Sequence, residues 1–374
     1  MSGTITVKDA SGATAAAYRG TIRFTSSDPA AQMPANHTFV AADAGRFSFS
    51  ITLETAGTQT ISAADITADS LHGNDTITVR PRITAQNVFA VGLNGTIVHY
   101  DGTSWTPQFS DASIRSLNGV WGTSASNVFA VGTGGTILHY NGSTWTRQNS
   151  NTTTSLAAVW GSSETDVFAV GDQGTILHFD GTQWAQVARD TTFFFTSVWG
   201  TSPNNVYATG SAETNFQWSG RILHYDGTSW TTQRSDPSIS VFGVWGSSAT
   251  DIFAVGDSIL HYDGTGWTAM RISALFAVWG TSGRDVFAVG DYASVLHYDG
   301  TTWTLQAAPG EGGTPWEFDG VWGSSGTDVF AVGQAGAIWH YDGTTWTEQT
   351  RVSTEFLWSV WGPSSASASK EAGR

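Results

Sequence analysis

A segment of about forty residues recurs along most of this chain, and this recurrence limits the fold more than any other feature. Each copy contains Val-Trp-Gly, and its tryptophans are Trp121, Trp160, Trp199, Trp245, Trp279, Trp322 and Trp361. Their spacing of 34 to 46 residues is typical of four-stranded propeller blades or of helical arrays. Helices are excluded because the repeat has no 3.6-residue apolar period and is rich in Gly, Thr, Val and aromatic residues, which favour strands and turns.

The copy that runs from Ala158 to Val187 predicts four strands, over residues 156–161, 166–171, 175–179 and 183–187. Short turns join these strands, and the Asp180-Gly181 pair suits a tight hairpin because it tolerates positive φ. A longer crossover then leads to the next copy. Three tight turns followed by one long connection are typical of a β-propeller blade.

Seven Val-Trp-Gly strands are matched by seven second strands, but the two sets are offset. The second strand that begins at Val88 follows Arg80-Pro81-Arg82, and proline cannot donate to a central ladder. The last Val-Trp-Gly, at residues 360–362, has no second strand after it. We therefore predict an all-β chain with a seven-bladed propeller over residues 83–362, closed by its C-terminal strand, and a disordered tail over 363–374.

Residues 1–82 contain no tryptophan and alternate apolar and polar positions in short runs, which predicts a β-sandwich. The stretches TVKDASGATA and TIRFTSSDPAA resemble bacterial immunoglobulin-like repeats of surface proteins. That resemblance implies a spacer domain and an extracellular or cell-surface location. Because residues 1–4 lack the features of a signal peptide, we expect the chain to be a mature form or a fragment.

Composition excludes several classes of partner and of chemistry. The formal net charge of -15 argues against nucleic acid or an anionic membrane as partners, and no apolar run is long enough for a membrane span. The absence of cysteine excludes disulfides and thiolate metal sites. No nucleophile elbow, phosphate loop or metal-ligand spacing occurs, so we predict no enzyme activity, no cofactor and no metal. The oligomeric state stays open.

Residues that recur in every copy are predicted to be structural. They include the Val-Trp-Gly tryptophans and those of the fourth strands, Trp105, Trp145, Trp184, Trp230, Trp267, Trp303 and Trp346. Each third strand repeats a histidine, at His99, His139, His178, His224, His261, His297 and His340. On a ring of about 15 Å radius, neighbouring histidines would be about 13 Å apart. They could not share a metal ion, whose ligands lie about 2 Å from it.

A Tyr-Asp-Gly-x-x-Trp turn joins the third and fourth strands and resembles the Asp-box of sialidase-type propellers. Glycine follows the aspartate at once here, which departs from that box. The order of a Gly-ending first strand, an aromatic second strand, this turn and a Trp strand is similar to tectonin-type lectin repeats. These resemblances imply a structural turn and a lectin-like propeller.

The loops that differ between copies are the crossovers and the second-to-third loops, which open on one face, here named the variable face. Its two longest insertions carry the aromatic residues Phe216, Trp218 and Trp316. Arginines beside the same loops are Arg147, Arg189, Arg234, Arg271 and Arg351. Arginine binds carboxylates and sulfates in a bidentate way. Solvated arginines balanced by nearby acids are the alternative. Other crossovers carry the aromatic residues Phe193, Phe194, Phe195, Phe242, Phe276, Phe356 and Trp358. Some of them, chiefly those just before Val-Trp-Gly, are expected to be core of the first strand.

The sequence thus predicts a non-catalytic binding module that recognises glycans through the variable face, with those three aromatic residues and five arginines as ligand-binding residues. A protein-binding adhesion or scaffold platform that uses the same face is the first alternative, with a cell-surface protein as partner. A propeller glycoside hydrolase or lyase is the second alternative. It would need two carboxylates about 5 to 9.5 Å apart.

Overall fold

A computed structural model describes residues 2–53, 57–68, 71–79, 86–214, 217–272, 274–306 and 317–363. Contacts divide the chain into two units, Met1–Arg82 and Ile83–Arg374. Antiparallel strands build both units, which confirms the predicted all-β class. Across the described residues we find no helix with the length and apolar character that a bilayer span requires.

Among its described residues, the first unit contains two sheets and a single turn of 3₁₀ helix at Ala41–Asp43. One sheet pairs β1 with β4, and the other has the order β3-β2-β5-β6. The strands are β1 Ser2–Thr6, β2 Thr21–Ser26, β3 His37–Thr38, β4 Arg46–Ser50, β5 Gly57–Asp65 and β6 His72–Val79. The buried core contains Val7, Ile22, Phe24 and Phe39, so the alternating apolar positions of the sequence face one another here.

The second unit contains seven four-stranded antiparallel sheets within its described residues. Ordered from the innermost strand outwards, the first three sheets are β10 Leu117–Ser124, β11 Asn127–Gly132, β12 Thr136–Tyr140 and β13 Trp145–Gln148; β14 Leu156–Ser163, β15 Asp166–Gly171, β16 Ile176–Phe179 and β17 Trp184–Ala188; and β18 Phe194–Ser202, β19 Asn205–Thr214, β20 Gln217–Tyr225 and β21 Trp230–Asp236. The next three are β22 Val241–Ser248, β23 Asp251–Gly256, β24 Ser258–Tyr262 and β25 Trp267–Ile272; β26 Leu275–Ser282, β27 Asp285–Gly290, β28 Val295–Tyr298 and β29 Trp303–Leu305; and β30 Phe318–Ser325, β31 Asp328–Gly333, β32 Ile338–Tyr341 and β33 Trp346–Glu348. The seventh sheet joins the two ends of the unit and contains β34 Leu357–Trp361, β7 Val88–Gly92, β8 Ile97–Tyr100 and β9 Trp105–Phe109. Turns of 3₁₀ helix lie at Thr133–Gly135, Asp172–Gly174, Asp291–Ala293 and Gln334–Gly336.

The innermost strands of successive sheets contact one another, and the contact between β34 and β10 completes a ring. In the seventh sheet, β34 pairs with β7, so the C-terminal strand takes the inner position beside a strand about 270 residues earlier. Strand β6, which precedes the ring in the chain, does not fill that position, because it pairs with β5 in the first unit. The predicted closure by the C-terminal strand is therefore observed.

Tryptophan and glycine of the Val-Trp-Gly motif hold neighbouring sheets together. The indole of Trp121 lies against Gly161 of the next sheet, where a Cβ would come within 2.6 Å of the ring. The same contact recurs around the ring, with Trp160 on Gly200, Trp199 on Gly246, Trp245 on Gly280, Trp279 on Gly323, Trp322 on Gly362 and Trp361 on Gly122. Only glycine leaves room for the indole of the neighbouring sheet. Since every sheet both supplies an indole and receives one, each copy carries both the tryptophan and the glycine.

The fourth-strand tryptophans pack against the second strand of a neighbouring sheet. Trp184 is 2% exposed and meets the ring of Phe129 edge-on at 6.0 Å, while its indole nitrogen donates to Gln148. Trp105 and Trp322 are also buried, whereas the remaining tryptophans of the two predicted sets are half-buried. The predicted structural role is confirmed, although complete burial holds for only some of them.

All seven third-strand histidines have a partner at the start of the adjacent second strand. Each histidine Nε2 lies 2.6 to 3.2 Å from an Asn or Asp oxygen, namely Asn87, Asn127, Asp166, Asn205, Asp251, Asp285 and Asp328. Burial lowers the pKa of His99, His139 and His224, whose partners are neutral asparagines. The histidines are thus structural, as their recurrence predicted.

Candidate binding site

Each innermost strand of the second unit contains a β-bulge at the same place. In β10, for example, Leu117 pairs with Gly132 and Gly119 with Val131, which leaves Asn118 without a partner residue. The seven bulged residues are Asn118, Ala157, Thr196, Phe242, Phe276, Asp319 and Trp358. A bulge bends the strand and redirects the side chain of the extra residue.

These seven residues line a cavity of about 190 Å³ in the centre of the ring. The residue that follows each bulge is always Gly, Ala or Ser. The reason is close approach of the next inner strand, because a Cβ on Gly119 would lie 2.9 Å from the carbonyl oxygen of Ala157. Small residues thus keep the centre open, and the bulged side chains decide its chemistry. We name these seven bulged residues the channel site.

The channel site has two unlike sides. Phe242, Phe276, Asp319 and Trp358 come from four consecutive sheets and form an aromatic and acidic side. The rings of Phe242 and Phe276 meet edge to face with centroids 5.9 Å apart, and Trp358 stacks on Phe356 at 5.3 Å. The other side carries small or polar residues, so a ligand meets an asymmetric lining.

Polar groups on the small side are already paired within the protein. The Asn118 amide nitrogen donates to the carbonyl oxygen of Leu156 at 2.8 Å, and its oxygen accepts from Ser116 at 2.6 Å. The Thr196 hydroxyl lies within hydrogen-bond distance of two backbone carbonyl oxygens. These groups have little capacity left for a ligand.

Two polar atoms on the aromatic and acidic side have no such partner. Oδ2 of Asp319 and Nε1 of Trp358 are enclosed and form no hydrogen bond with any residue that the structure describes. Burial raises the pKa of Asp319 to about 7, helped by the nearby carboxylates of Glu317 and Asp291. Asp319 and Trp358 are each half-buried and line the cavity, so a ligand there meets the accessible parts of their side chains and not these two shielded atoms.

More carboxylates lie where the crossovers reach the inner strands. Asp172, Asp257 and Asp291 each follow a second strand, and their backbone nitrogens donate to residues just before an inner strand. No Lys or Arg is among the residues that line the cavity, as far as the structure describes them. The electrostatic field at this end of the channel therefore favours cations.

Of the site residues expected from the sequence, the four whose side chains the structure describes do not line the cavity. Phe216 and Trp316 fall outside the described residues, as do the side chains of Trp218 and Arg271. The remaining four arginines bind close to their own positions in the chain or to an adjacent sheet: Arg147 to Thr136, Arg189 to Gln173, Arg234 to Asp236 and the carbonyl of Trp267, and Arg351 to Glu348. They sit at or just beyond outermost strands, and none lines the cavity.

The expectation that aromatic residues just before Val-Trp-Gly are core holds for only some of them. Phe242, Phe276 and Trp358 instead line the channel, because the bulge turns them towards the axis. Phe195, which occupies the position before a bulge, is buried as expected. The sequence does carry a signal for the channel site, because this position differs in nearly every copy of an otherwise constant strand.

Serine, aspartate and histidine occur together in several sheets without forming a catalytic triad. In the sheet that contains β31, Ser324 and His340 each bind Asp328, through different carboxylate oxygens. A nucleophile would have to contact the histidine itself. The described residues also contain no group of His, Asp or Glu suited to a metal ion.

Comparison with known proteins shows the fold of this chain but assigns it to no family. No family profile and no curated protein matches the chain. The solved structure of YCF48 bound to D1 peptide is similar, with a TM-score of 0.54 and 15% identity over 70% of this chain and 95% of that chain. The WD40 β-propeller domain of Doa1 has a TM-score of 0.51 and 10% identity, over 72% and 90%. The fold is thus a β-propeller of repeated four-stranded sheets.

Proposed function

We propose that this chain is a non-catalytic protein-binding module, in which a seven-bladed propeller binds a segment of a partner protein at the channel site. The observation that carries the proposal is the variation of the bulged residue. Neighbouring positions of the inner strands are nearly constant, whereas this one ranges from Ala157 to Trp358 and faces an open cavity. Packing requires no such variation, but recognition of an asymmetric ligand does.

The comparisons support a protein partner rather than a glycan. YCF48, a propeller of similar fold, is known in a complex with D1 peptide. Glycan recognition by the variable face, with its arginines and inserted aromatic residues, has no comparable support. We retain the first unit as an immunoglobulin-like spacer, and an extracellular or cell-surface location, as parts of this proposal.

Selection from a displayed library of random peptides on the immobilised full chain tests the proposal. We expect enriched peptides that bind the wild type and lose at least tenfold in affinity, about 1.4 kcal/mol, on Phe276→Ala. Leu305→Ala is the matched control, because Leu305 is exposed on the outermost strand of the same sheet. Binding that survives Phe276→Ala, or binding of an array glycan without any peptide, would contradict the proposal.

One observation keeps glycoside hydrolysis as a second candidate. Asp319 has a pKa raised to about 7 and lies near Glu317 and Asp291, and a general acid with a carboxylate neighbour is what hydrolysis needs. Release of a chromophore from aryl glycosides, abolished by Asp319→Asn, would favour this candidate. Peptide binding without such turnover would favour the binding module.

A further inference from the structure

We propose that the channel site binds a basic side chain, arginine or lysine, of a peptide segment whose backbone is held at the mouth. This inference rests on the proposed function and specifies its ligand. The cavity of about 190 Å³ is many times the roughly 10 to 15 Å³ that one water molecule needs on the same measure, so it has room for one extended side chain.

The carboxylate of Asp319 supplies the acceptor for such a cation, because Asp319 lines the cavity and is only half-buried. A guanidinium or ammonium group would give this carboxylate a charge-assisted hydrogen bond, which is stronger than a neutral one. Lys and Arg are absent from the described lining, so no side chain of the channel site competes for the carboxylate.

The aromatic residues next to Asp319 suit the same ligand. Phe276 and Trp358 belong to the sheets on either side of the one that carries Asp319, and Phe242 extends the aromatic lining. Cations are attracted to the faces of aromatic rings, most of all to tryptophan, and the apolar stem of Arg or Lys packs against such rings. The aromatic side therefore accommodates both parts of a basic side chain.

The test uses the full chain and the peptides that it selects from a random library. We expect Arg or Lys at a fixed position in those peptides. Replacement of that residue by its neutral counterpart, citrulline or acetyl-lysine, should weaken binding at least tenfold. Asp319→Asn should weaken binding of the unmodified peptide to a similar extent. It should also remove the difference in affinity between the unmodified peptide and its neutral counterpart. Glu164→Gln is the matched control, because it removes one charge at the turn between β14 and β15.

Binding of the basic peptide should also tighten between pH 6 and pH 8, as Asp319, which faces Glu317 and Asp291, gains its charge. Selected peptides that need Phe276 but carry no basic residue would overturn this inference and leave the proposed function standing. Equal binding of the neutral counterpart, or full binding to Asp319→Asn, would overturn it too. A library that yields no binder dependent on the channel would overturn both.

Discussion

Two kinds of aspartate in the propeller show how environment sets the charge of one residue type. In the turns between third and fourth strands, Asp180 accepts hydrogen bonds from the Thr182 hydroxyl and from two backbone amides, which lower its pKa to about 2. Asp319 is half-buried, and its Oδ2, which is shielded from solvent, receives no such bond. One carboxylate is fixed in its charged form, and the other changes charge near neutral pH.

Asp319 should make the propeller less stable as the pH rises. Its folded-state pKa of about 7 exceeds the ordinary value of 3.8, so the folded chain keeps a proton that the unfolded chain loses between these values. Asp319→Asn should raise the free energy of unfolding by roughly 2 to 4 kcal/mol at pH 8, with the gain shrinking towards pH 4. Denaturant titrations followed by tryptophan fluorescence report on the second unit alone, since all 18 tryptophans lie there.

Glu164→Gln is the control, because it removes a charge from the propeller without affecting the cavity. It should not raise the free energy of unfolding by a comparable amount. If Asp319→Asn raises the free energy of unfolding by the same amount at every pH, the raised pKa of Asp319 is not the cause of the gain. The same titration measured with a bound basic peptide should lose most of its pH dependence.

At the scale of the element, the repeat is held by contacts between sheets. The Trp-Gly pairs and the fourth-strand tryptophans both bridge neighbouring sheets. Each sheet therefore contributes half of a packing surface that only its neighbour completes.

Trp184→Ala should lower the free energy of unfolding by roughly 3 to 5 kcal/mol, because Trp184 is buried against Phe129 and its neighbours. Trp267 is half-buried, and its Nε1 has no partner among the described residues. Trp267→Ala should therefore cost less. Chemical denaturation of both variants measures the two losses in free energy of unfolding. Equal losses would show that the burial of the tryptophan does not set the size of the effect.

Gly161→Ala should destabilise the chain by roughly 1 to 3 kcal/mol, because the new Cβ would lie 2.6 Å from both the Trp121 ring and the Asp166 carbonyl oxygen. Gly266→Ala is the matched control, since a Cβ there meets nothing within 4 Å. Thermal unfolding of the two variants should separate them, and similar melting temperatures would refute the Trp-Gly explanation.

These elements also show what a sequence can and cannot predict. The strands around Ala158 to Val187 were predictable to within two residues, because turn residues and the repeat period are local signals. The direction of Phe242 and Trp358 was not, since a bulge depends on hydrogen bonding between strands. From the sequence alone, an aromatic residue beside Val-Trp-Gly looks the same whether its side chain faces the core or the channel.

At the scale of the whole molecule, the offset between strands and copies was enough to predict closure. Arg80-Pro81-Arg82 could not supply an inner strand for the second strand that begins at Val88. The last Val-Trp-Gly strand had no second strand after it, so the strand at Val88 was the partner left for it. The identity of the ligand could not be predicted in this way, because the channel site forms only when seven separate strands meet.

Deletion from Thr354 onwards should destabilise the propeller by more than about 4 kcal/mol and cause aggregation. It removes β34 with the buried side chains of Leu357 and Val360, and it exposes the edge of β7. A chain that ends after Pro363 keeps these contacts and should melt like the wild type. Light scattering and thermal unfolding compare the two chains, and identical behaviour would contradict closure by β34.

The pairing of β34 with β7 also has a consequence for synthesis on the ribosome. Chains grow at roughly 5 to 20 residues per second, so β7 emerges roughly 15 to 50 s before the strand that must cover it. Throughout that interval β7 has an uncovered inner edge, and the most recently made sheet has a face that no neighbour covers. Both are covered only when β34 has been made and pairs with β7.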